Sequence, residues 1–267
     1  MNFADYRAIP ATNWSLLKEM AKSPAHYRYR QDEPRQDTPV MAMGRAVHCA
    51  VLEPDAFPLD FTVWRGGRRQ GKTWESFVDS LPSSATILSE AEYERCLAIR
   101  DAVRSHPVAG EYLDSPGEAE KTLLWTDPDT LIACKARLDW LMPGTVVDLK
   151  TTKAIDQRRF ARTCADFAYH GQAAFYSAGA EAETDQPHGF VFIAVESDAP
   201  HDVAVYELDD DSRWAGECLV GSLLAKLKAC RESGDWPGAY PAPETLTMPP
   251  WCFPDDWDGT AKLEGLR

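Results

Sequence analysis

Residues 131–152 read Leu-Ile-Ala-Cys-Lys-Ala-Arg-Leu-Asp139-Trp-Leu-Met-Pro-Gly144-Thr-Val-Val-Asp148-Leu-Lys150-Thr-Thr, two alternating runs either side of a Met142-Pro-Gly144 turn. Alternation of apolar and polar residues bounded by Pro-Gly predicts two strands, 131–141 and 145–151, joined as a hairpin. On the first, Ile132, Cys134, Ala136, Leu138 and Trp140 share one face, and Lys135, Arg137 and Asp139 share the other. On the second, Asp148 and Lys150 lie on one side of the sheet, and the hairpin brings Asp139 across from Asp148. Two facing carboxylates repel unless a cation sits between them.

The flanking sequence extends this hairpin into a sheet. Glu120 to Trp125 predicts a third strand, and the apolar run Phe190-Val-Phe-Ile-Ala-Val195 predicts a strand buried on both faces. Val203 to Leu208 predicts another. Helical spacing of Leu16, Leu17 and Met20 after Thr12 and Asn13 predicts a helix closed by Ser23-Pro24, and the polar stretch 28–39 reads as a surface loop. A helix from Met41 to Leu52 carries Met43, Val47 and Val51 on its apolar face, with Gly44 and His48 one turn apart. Residues 65–72 read as a flexible basic loop, and Ser89 caps a helix with Tyr93, Leu97 and Val103 on one face, ending at His106-Pro107. Further helices are expected over 156–163, 167–181 and 212–229. The order predicts one α/β domain, residues 1–251, with a central mixed β-sheet flanked by helices, followed by a peripheral tail, 252–267.

Composition narrows the class. With 28 Lys plus Arg against 42 Asp plus Glu, the net charge is −14, which argues against indiscriminate coating of nucleic acid. At 44% hydrophobic residues the chain can bury a core. No run approaches the roughly 18 apolar residues of a membrane span, and the N-terminus lacks a basic segment followed by an apolar one. Seven cysteines without a Cys-x-x-Cys pair read as buried, reduced thiols, not as a disulfide framework or zinc site. A cytoplasmic location without membrane association is expected.

Hard carboxylate ligands suit Mg²⁺, with Mn²⁺ as a substitute, and leave room for phosphate oxygens. A lysine two residues from a metal-binding carboxylate can orient or help deprotonate water and can stabilise charge on phosphoryl oxygens. The implied reaction is metal-assisted phosphodiester hydrolysis. A bare Asp-x-Lys is equally an ordinary charge pair on a strand, and His48 alone is equally a core histidine. Gln172 and Tyr176, spaced i, i+4, form one polar stripe that faces either solvent or the sheet.

Taken in order, Gly44-x-x-x-His48, Asp139, Asp148-Leu-Lys150-Thr-Thr and Gln172-x-x-x-Tyr176 resemble the RecB-type branch of the PD-(D/E)XK nucleases. The segments Ser23-Pro-Ala-His-Tyr27, Gly44-Arg-Ala-Val-His48-Cys-Ala-Val-Leu-Glu-Pro54, Glu120-Lys-Thr-Leu-Leu-Trp125, Cys134-Lys-Ala-Arg-Leu-Asp139 and Tyr169-His-Gly-Gln172-Ala-Ala-Phe-Tyr-Ser177 are similar to the exonuclease VIII (RecE) nuclease-domain family, from about residue 8 to Trp251. The resemblance implies a restriction-endonuclease-like core and a Mg²⁺-dependent exonuclease. Such an enzyme digests one strand of linear duplex DNA from its 5′ end, works as a ring-shaped homo-tetramer and passes a 3′ tail to a single-strand annealing protein of the RecT type. It implies His48, Asp139 and Asp148 as metal ligands, Lys150 as the catalytic lysine, Glu120 at the metal or a water, and Gln172 and Tyr176 near the substrate. Leu138 stands where the superfamily name has Pro, and Asp148 is the acidic member of the second motif.

Arg65, Arg68, Arg69 and Lys72, then Arg137, and then Arg158, Arg159 and Arg162 are candidates for contact with DNA phosphates; a solvated charge run explains either cluster equally well. Basic residues are expected to line the DNA path and acidic ones the outer surface. Rival readings are a helicase- or CRISPR-associated nuclease of the same superfamily, or a non-catalytic DNA-binding or assembly module. No iron–sulfur cluster is expected, because Cys218, Cys230 and Cys252 are too dispersed.

Overall fold

A computed structural model describes residues 3–33, 38–82 and 85–254. The chain opens with α1 (Phe3–Ala8), α2 (Trp14–Leu17), α3 (Pro24–Asp32), α4 (Pro39–Leu52) and α5 (Phe57–Asp60). Then come β1 (Phe61–Trp64), α6 (Lys72–Asp79), β2 (Thr86–Ser89), α7 (Glu90–Ser105) and α8 (Pro107–Asp114). The second half runs β3 (Glu118–Thr126), β4 (Ala133–Met142), β5 (Thr145–Thr152), α9 (Gln157–Asp166), α10 (Tyr169–Thr184), β6 (Gly189–Glu196), β7 (Val203–Glu207) and α11 (Asp210–Ser233).

Strands β3 to β7 form one mixed sheet in sequential order, and β1 and β2 form a separate parallel pair. Only β5 and β6 run parallel in the main sheet, because α9 and α10 carry the chain back between them. Alternate residues of β5 and β6 feed two helical layers. Val147, Leu149, Val191, Ile193 and Val195 pack with Val47, Ala50, Val51, Ile99 and Val103 of α4 and α7. Val146, Phe190, Phe192 and Ala194 pack with Phe160, Cys164, Ala173 and Ala180 of α9 and α10. Parity alone therefore sends Asp148 and Lys150 to the α10 side. A third cluster joins Trp14, Leu17 and Met20 to Phe175 and to Leu223, Leu224 and Leu227 of α11.

Several local expectations change. Ser23 does close the first helical turn region, yet it also opens α3, its hydroxyl accepting the His26 N–H with Pro24 at the first helical position. Residues 28–32 are therefore helical, and 34–37 of the expected loop lie outside the described residues. The His106-Pro107 stop likewise starts α8, His106 Nδ1 accepting the Ala109 N–H. The Ser89 cap is a full capping box with Glu92. Cys218 and Cys252 are exposed, whereas the other five cysteines are buried, so the reading of all seven as buried is corrected. Of the expected tail, 255–267 lie outside the described residues. No helix among the described residues is long and apolar enough to cross a membrane.

The hairpin also departs from regular alternation. Leu138 packs on the α9–α10 side, whereas Trp140, expected on the same face, packs on the α4–α7 side. Ala119 and Leu123 of β3 are divided in the same way. Pairing between β3 and β4 runs Ala119 with Trp140 and Lys121 with Leu138, skipping Glu120 and Asp139 together. Glu120 stands in the left-handed region at φ 51°. Both strands thus swap faces at one shared step, which a strict period of two does not anticipate.

Candidate metal and hydrolytic centre

The skipped step is where the charged groups gather. The β4–β5 ladder stops at Trp140–Val147, and beyond it the Leu149 N–H donates instead to Asp139 Oδ2 at 2.8 Å. The side chain of Asp139 takes over a hydrogen bond that the ladder has given up, which fixes the carboxylate between two parted strands. On its other oxygen, Asp139 Oδ1 lies 3.2 Å from His48 Nδ1, brought in by α4. Glu120, turned inward by its left-handed backbone, completes a group: one ligand atom from each of His48, Glu120 and Asp139 lies within 4.8 Å of the others. A left-handed non-glycine residue costs about 1–2 kcal/mol, and such strain characteristically collects at functional sites.

The second half of the centre lies on the α10 side. Asp148 is 2% exposed, and Lys150 Nζ sits 2.5 Å from its Oδ2 in ion-pair contact without hydrogen-bond alignment. Gln172 bridges them: its Nε2 donates to Asp148 Oδ1 at 3.1 Å, and its Oε1 accepts from Lys150 Nζ at 3.0 Å. A carboxylate on one side and an ammonium on the other permit only that orientation of the amide. Tyr169 covers the lysine, with Nζ 4.5 Å from the ring centroid, a cation–π contact. Tyr176 packs between the two cores that meet at α10.

Electrostatics follow from this crowding. Burial pushes the Asp148 carboxyl up; Lys150 pulls it back, Asp139 adds repulsion, and it settles at about 6. Burial alone would lower His48, but the Asp139 carboxylate, with Glu120 behind it, overrides that and raises it to about 9. Asp139 is held below the ordinary carboxylate range, burial being outweighed by His48, Lys150 and the Leu149 N–H. Burial and the neighbouring Asp139 raise Glu120, despite Arg137 Nε donating to its Oε2 at 2.5 Å. Burial lowers Lys150, yet Asp148 and Asp139 leave it above its usual value, so it stays an ammonium ion. Burial holds the Tyr176 phenol well above its ordinary value.

The donor set tests the fit of a cation directly. An imidazole nitrogen and two carboxylates within one ion's reach, beside a third, destabilised carboxylate, form a hard and electron-rich site suited to a small divalent metal. Asp148 is not in the three-residue group; it is held by Lys150 and Gln172.

The polar face of β4 is accounted for by three separate partners. Lys135 is 4% exposed and donates to the carbonyls of Tyr6, Arg7 and Ile9, fastening the N-terminal segment to the sheet. Arg137 engages Glu120, and Asp139 engages His48. Of the basic candidates, Arg65 and Arg69 pair with Glu90 and Glu92 at the start of α7, at 3.2 and 2.9 Å, while Arg68 and Lys72 are exposed. Arg158, Arg159 and Arg162 are exposed on α9, with Phe160 and Cys164 on its buried side. Tyr169 received no role from the sequence; its position one turn before Gln172 on the same helix face was the available signal.

A mixed sheet whose ladder parts at paired acidic positions, with an Asp-x-Lys on the neighbouring strand and a glutamine from the crossover helix, defines a PDDEXK-like domain. Residues 13–242 match the family model of the PDDEXK-like domain of unknown function (DUF3799), and the chain belongs to that family. No curated protein matches it in sequence. Among solved structures, the crystal structure of a "Putative exonuclease" from Eubacterium rectale superposes with a TM-score of 0.64 at 12% identity, covering 93% of this chain and 95% of that one. At that identity the likeness establishes the fold. A second structure, SSO0001, aligns over 79% of this chain and 84% of its own at 14% identity, with a TM-score of 0.30, and carries no argument.

Proposed function

We propose that the protein is a Mg²⁺-dependent exodeoxyribonuclease acting on linear duplex DNA from the 5′ end, leaving 3′ single-stranded tails for an annealing partner. The observation that carries this reading is the parting of β4 from β5 at Asp139, which gathers His48, Glu120 and Asp139 beside the Asp148–Lys150–Gln172 network. His48, Glu120 and Asp139 would hold the cation, with Asp148 available once the charge of the ion offsets its burial. A divalent ion bound there supplies Lewis acidity and neutralises charge on phosphoryl oxygens. Lys150, kept protonated, acts through its charge: it orients the attacking water and stabilises negative charge that develops on phosphorus-bound oxygens. Gln172 sets the spacing between ammonium and carboxylate, and Tyr169 limits the lysine to one side. Arg68, Lys72 and the α9 arginines are available for backbone phosphates, a contact that does not depend on sequence. Ring-shaped tetramers and an annealing partner of the RecT type belong to the same proposal through the family resemblance.

The test compares linear and covalently closed circular duplex DNA, with Mg²⁺ and with EDTA, for the wild type and for Asp148→Ala. Mg²⁺-dependent loss of the linear form alone, abolished by the substitution while DNA binding survives, is expected. Cutting of closed circles at an equal rate would exclude an exonuclease, and full activity of Asp148→Ala would place the chemistry elsewhere.

A further inference from the structure

The connection between α9 and α10 is two residues long, and Ala168 makes the turn in the left-handed region at φ 54° and ψ 45°. Side chains two apart on a regular helix point in different directions. The left-handed step instead lays the Phe167 ring against that of Tyr169, with centroids 5.7 Å apart and planes 22° from parallel. Tyr169 faces the Lys150 ammonium with its own ring. A line of three groups therefore runs outward from the centre: ammonium, phenol ring, phenyl ring.

The last of them is open to solvent. Phe167 is 54% exposed, although it follows a helix that buries Phe160 and Cys164. Core packing does not require a large apolar ring in that position. The exposed side of the same helix carries Arg158, Arg159 and Arg162, with Arg159 also 3.5 Å from Asp156. Guanidinium groups that follow a phosphate backbone, together with an aromatic ring on which a base can lie, are the elements by which proteins hold unpaired nucleotides without regard to sequence.

Resting on the nuclease reading above, we propose that Phe167 is a base-stacking platform for the unpaired nucleotide next to the scissile phosphate, and that the α9 arginines carry the phosphates of the same strand. The order along the chain fits this use. A phosphate at Lys150 leaves its attached base one ring further out, where the solvent-exposed Phe167 ring lies. Ala168 holds that ring in line with Tyr169, so stacking and hydrolysis share one rigid support. The ligand is a single-stranded stretch of the DNA being digested, and any of the four bases serves.

The experiment uses linear duplex DNA with a 2-aminopurine at the 5′-terminal nucleotide, in Ca²⁺ to permit binding without hydrolysis. Wild-type protein should quench the 2-aminopurine by stacking. Phe167→Ala and Phe167→Leu should abolish the quenching and weaken binding to a short 5′ overhang about tenfold, while Phe167→Trp restores both. Unchanged melting temperatures in these surface variants separate the effect from folding. If wild-type protein hydrolyses linear duplex in Mg²⁺ but Phe167→Ala quenches and binds as wild type does, the stacking role is wrong and the nuclease reading stands. If wild-type protein neither binds nor hydrolyses the duplex, both fall.

Discussion

If His48 ligates the proposed cation, a proton competes with the metal for its imidazole. The imidazole, 3.2 Å from Asp139, titrates at about 9, yet a ligating nitrogen must be neutral. At pH 7.5 the discharge of His48 costs about 2 kcal/mol, at about 1.4 kcal/mol for each pH unit below its pKa. The apparent affinity for Mg²⁺ should therefore rise about tenfold per pH unit below about pH 9 and level off above it. Close to one proton should leave per cation bound at neutral pH. Below about pH 6 the dependence should steepen, because Asp148 then also binds a proton. Calorimetric titration with Mg²⁺ in two buffers of different ionisation enthalpy measures the released proton directly. In His48→Gln the slope between pH 7 and 9 should vanish. A cation affinity independent of pH over that range in the wild type, or an unchanged slope in His48→Gln, would refute the assignment of His48 as a ligand.

The same shift makes metal-free stability depend on pH. The His48 pKa is about 9 when folded, above an unfolded value near 6.5, so its contribution is fully present below 6.5 and is lost as pH rises through about 9. Urea unfolding in EDTA should show a loss of about 3 kcal/mol across that window, reduced in His48→Gln. Asp148, also raised, makes a smaller contribution that disappears earlier, between about pH 4 and 6. Lys135→Met should destabilise the fold by about 2–4 kcal/mol in the same assay, because it leaves three inward carbonyls, of Tyr6, Arg7 and Ile9, without their donor. A loss under about 0.5 kcal/mol would show that the N-terminal segment is held by other contacts.

What the sequence could reveal here depended on whether the cause was local. The run from Phe190 to Val195 identifies a doubly buried strand because its composition alone requires it, and Asp148 and Lys150 share a side because alternation along β5 is unbroken. Hairpin geometry puts Asp139 across from Asp148; the ladder ends one pair earlier, at Trp140–Val147, and the Asp139 carboxylate accepts from the Leu149 N–H instead. The manner of its placement was not legible: a left-handed Glu120 and a simultaneous change of face in β3 and β4 arise from three strands acting together, and Trp140 consequently packs opposite to its expected side. Lys135 reads as a polar-face lysine until residues 6–9, more than a hundred positions earlier, fold over it. Short elements such as β1, β2, α6 and α8 lack the length for a periodic signal, and Ser23 and His106 each serve as a start where only a stop was evident. The Gln172 stripe remained open between solvent and sheet in the sequence; the crossover of α10 onto the β5 face turns it inward.

On the proposed function, the parted strands at Asp139 and Asp148 form a cation-dependent centre that hydrolyses DNA from an end. Its most direct test is release of acid-soluble label from linear duplex DNA labelled at either the 5′ or the 3′ terminus. With Mg²⁺, the 5′ label should be released first and the 3′ label retained on a single-stranded tail, and EDTA should stop both. Equal release in Mg²⁺ and EDTA, or no release in either, would contradict the account.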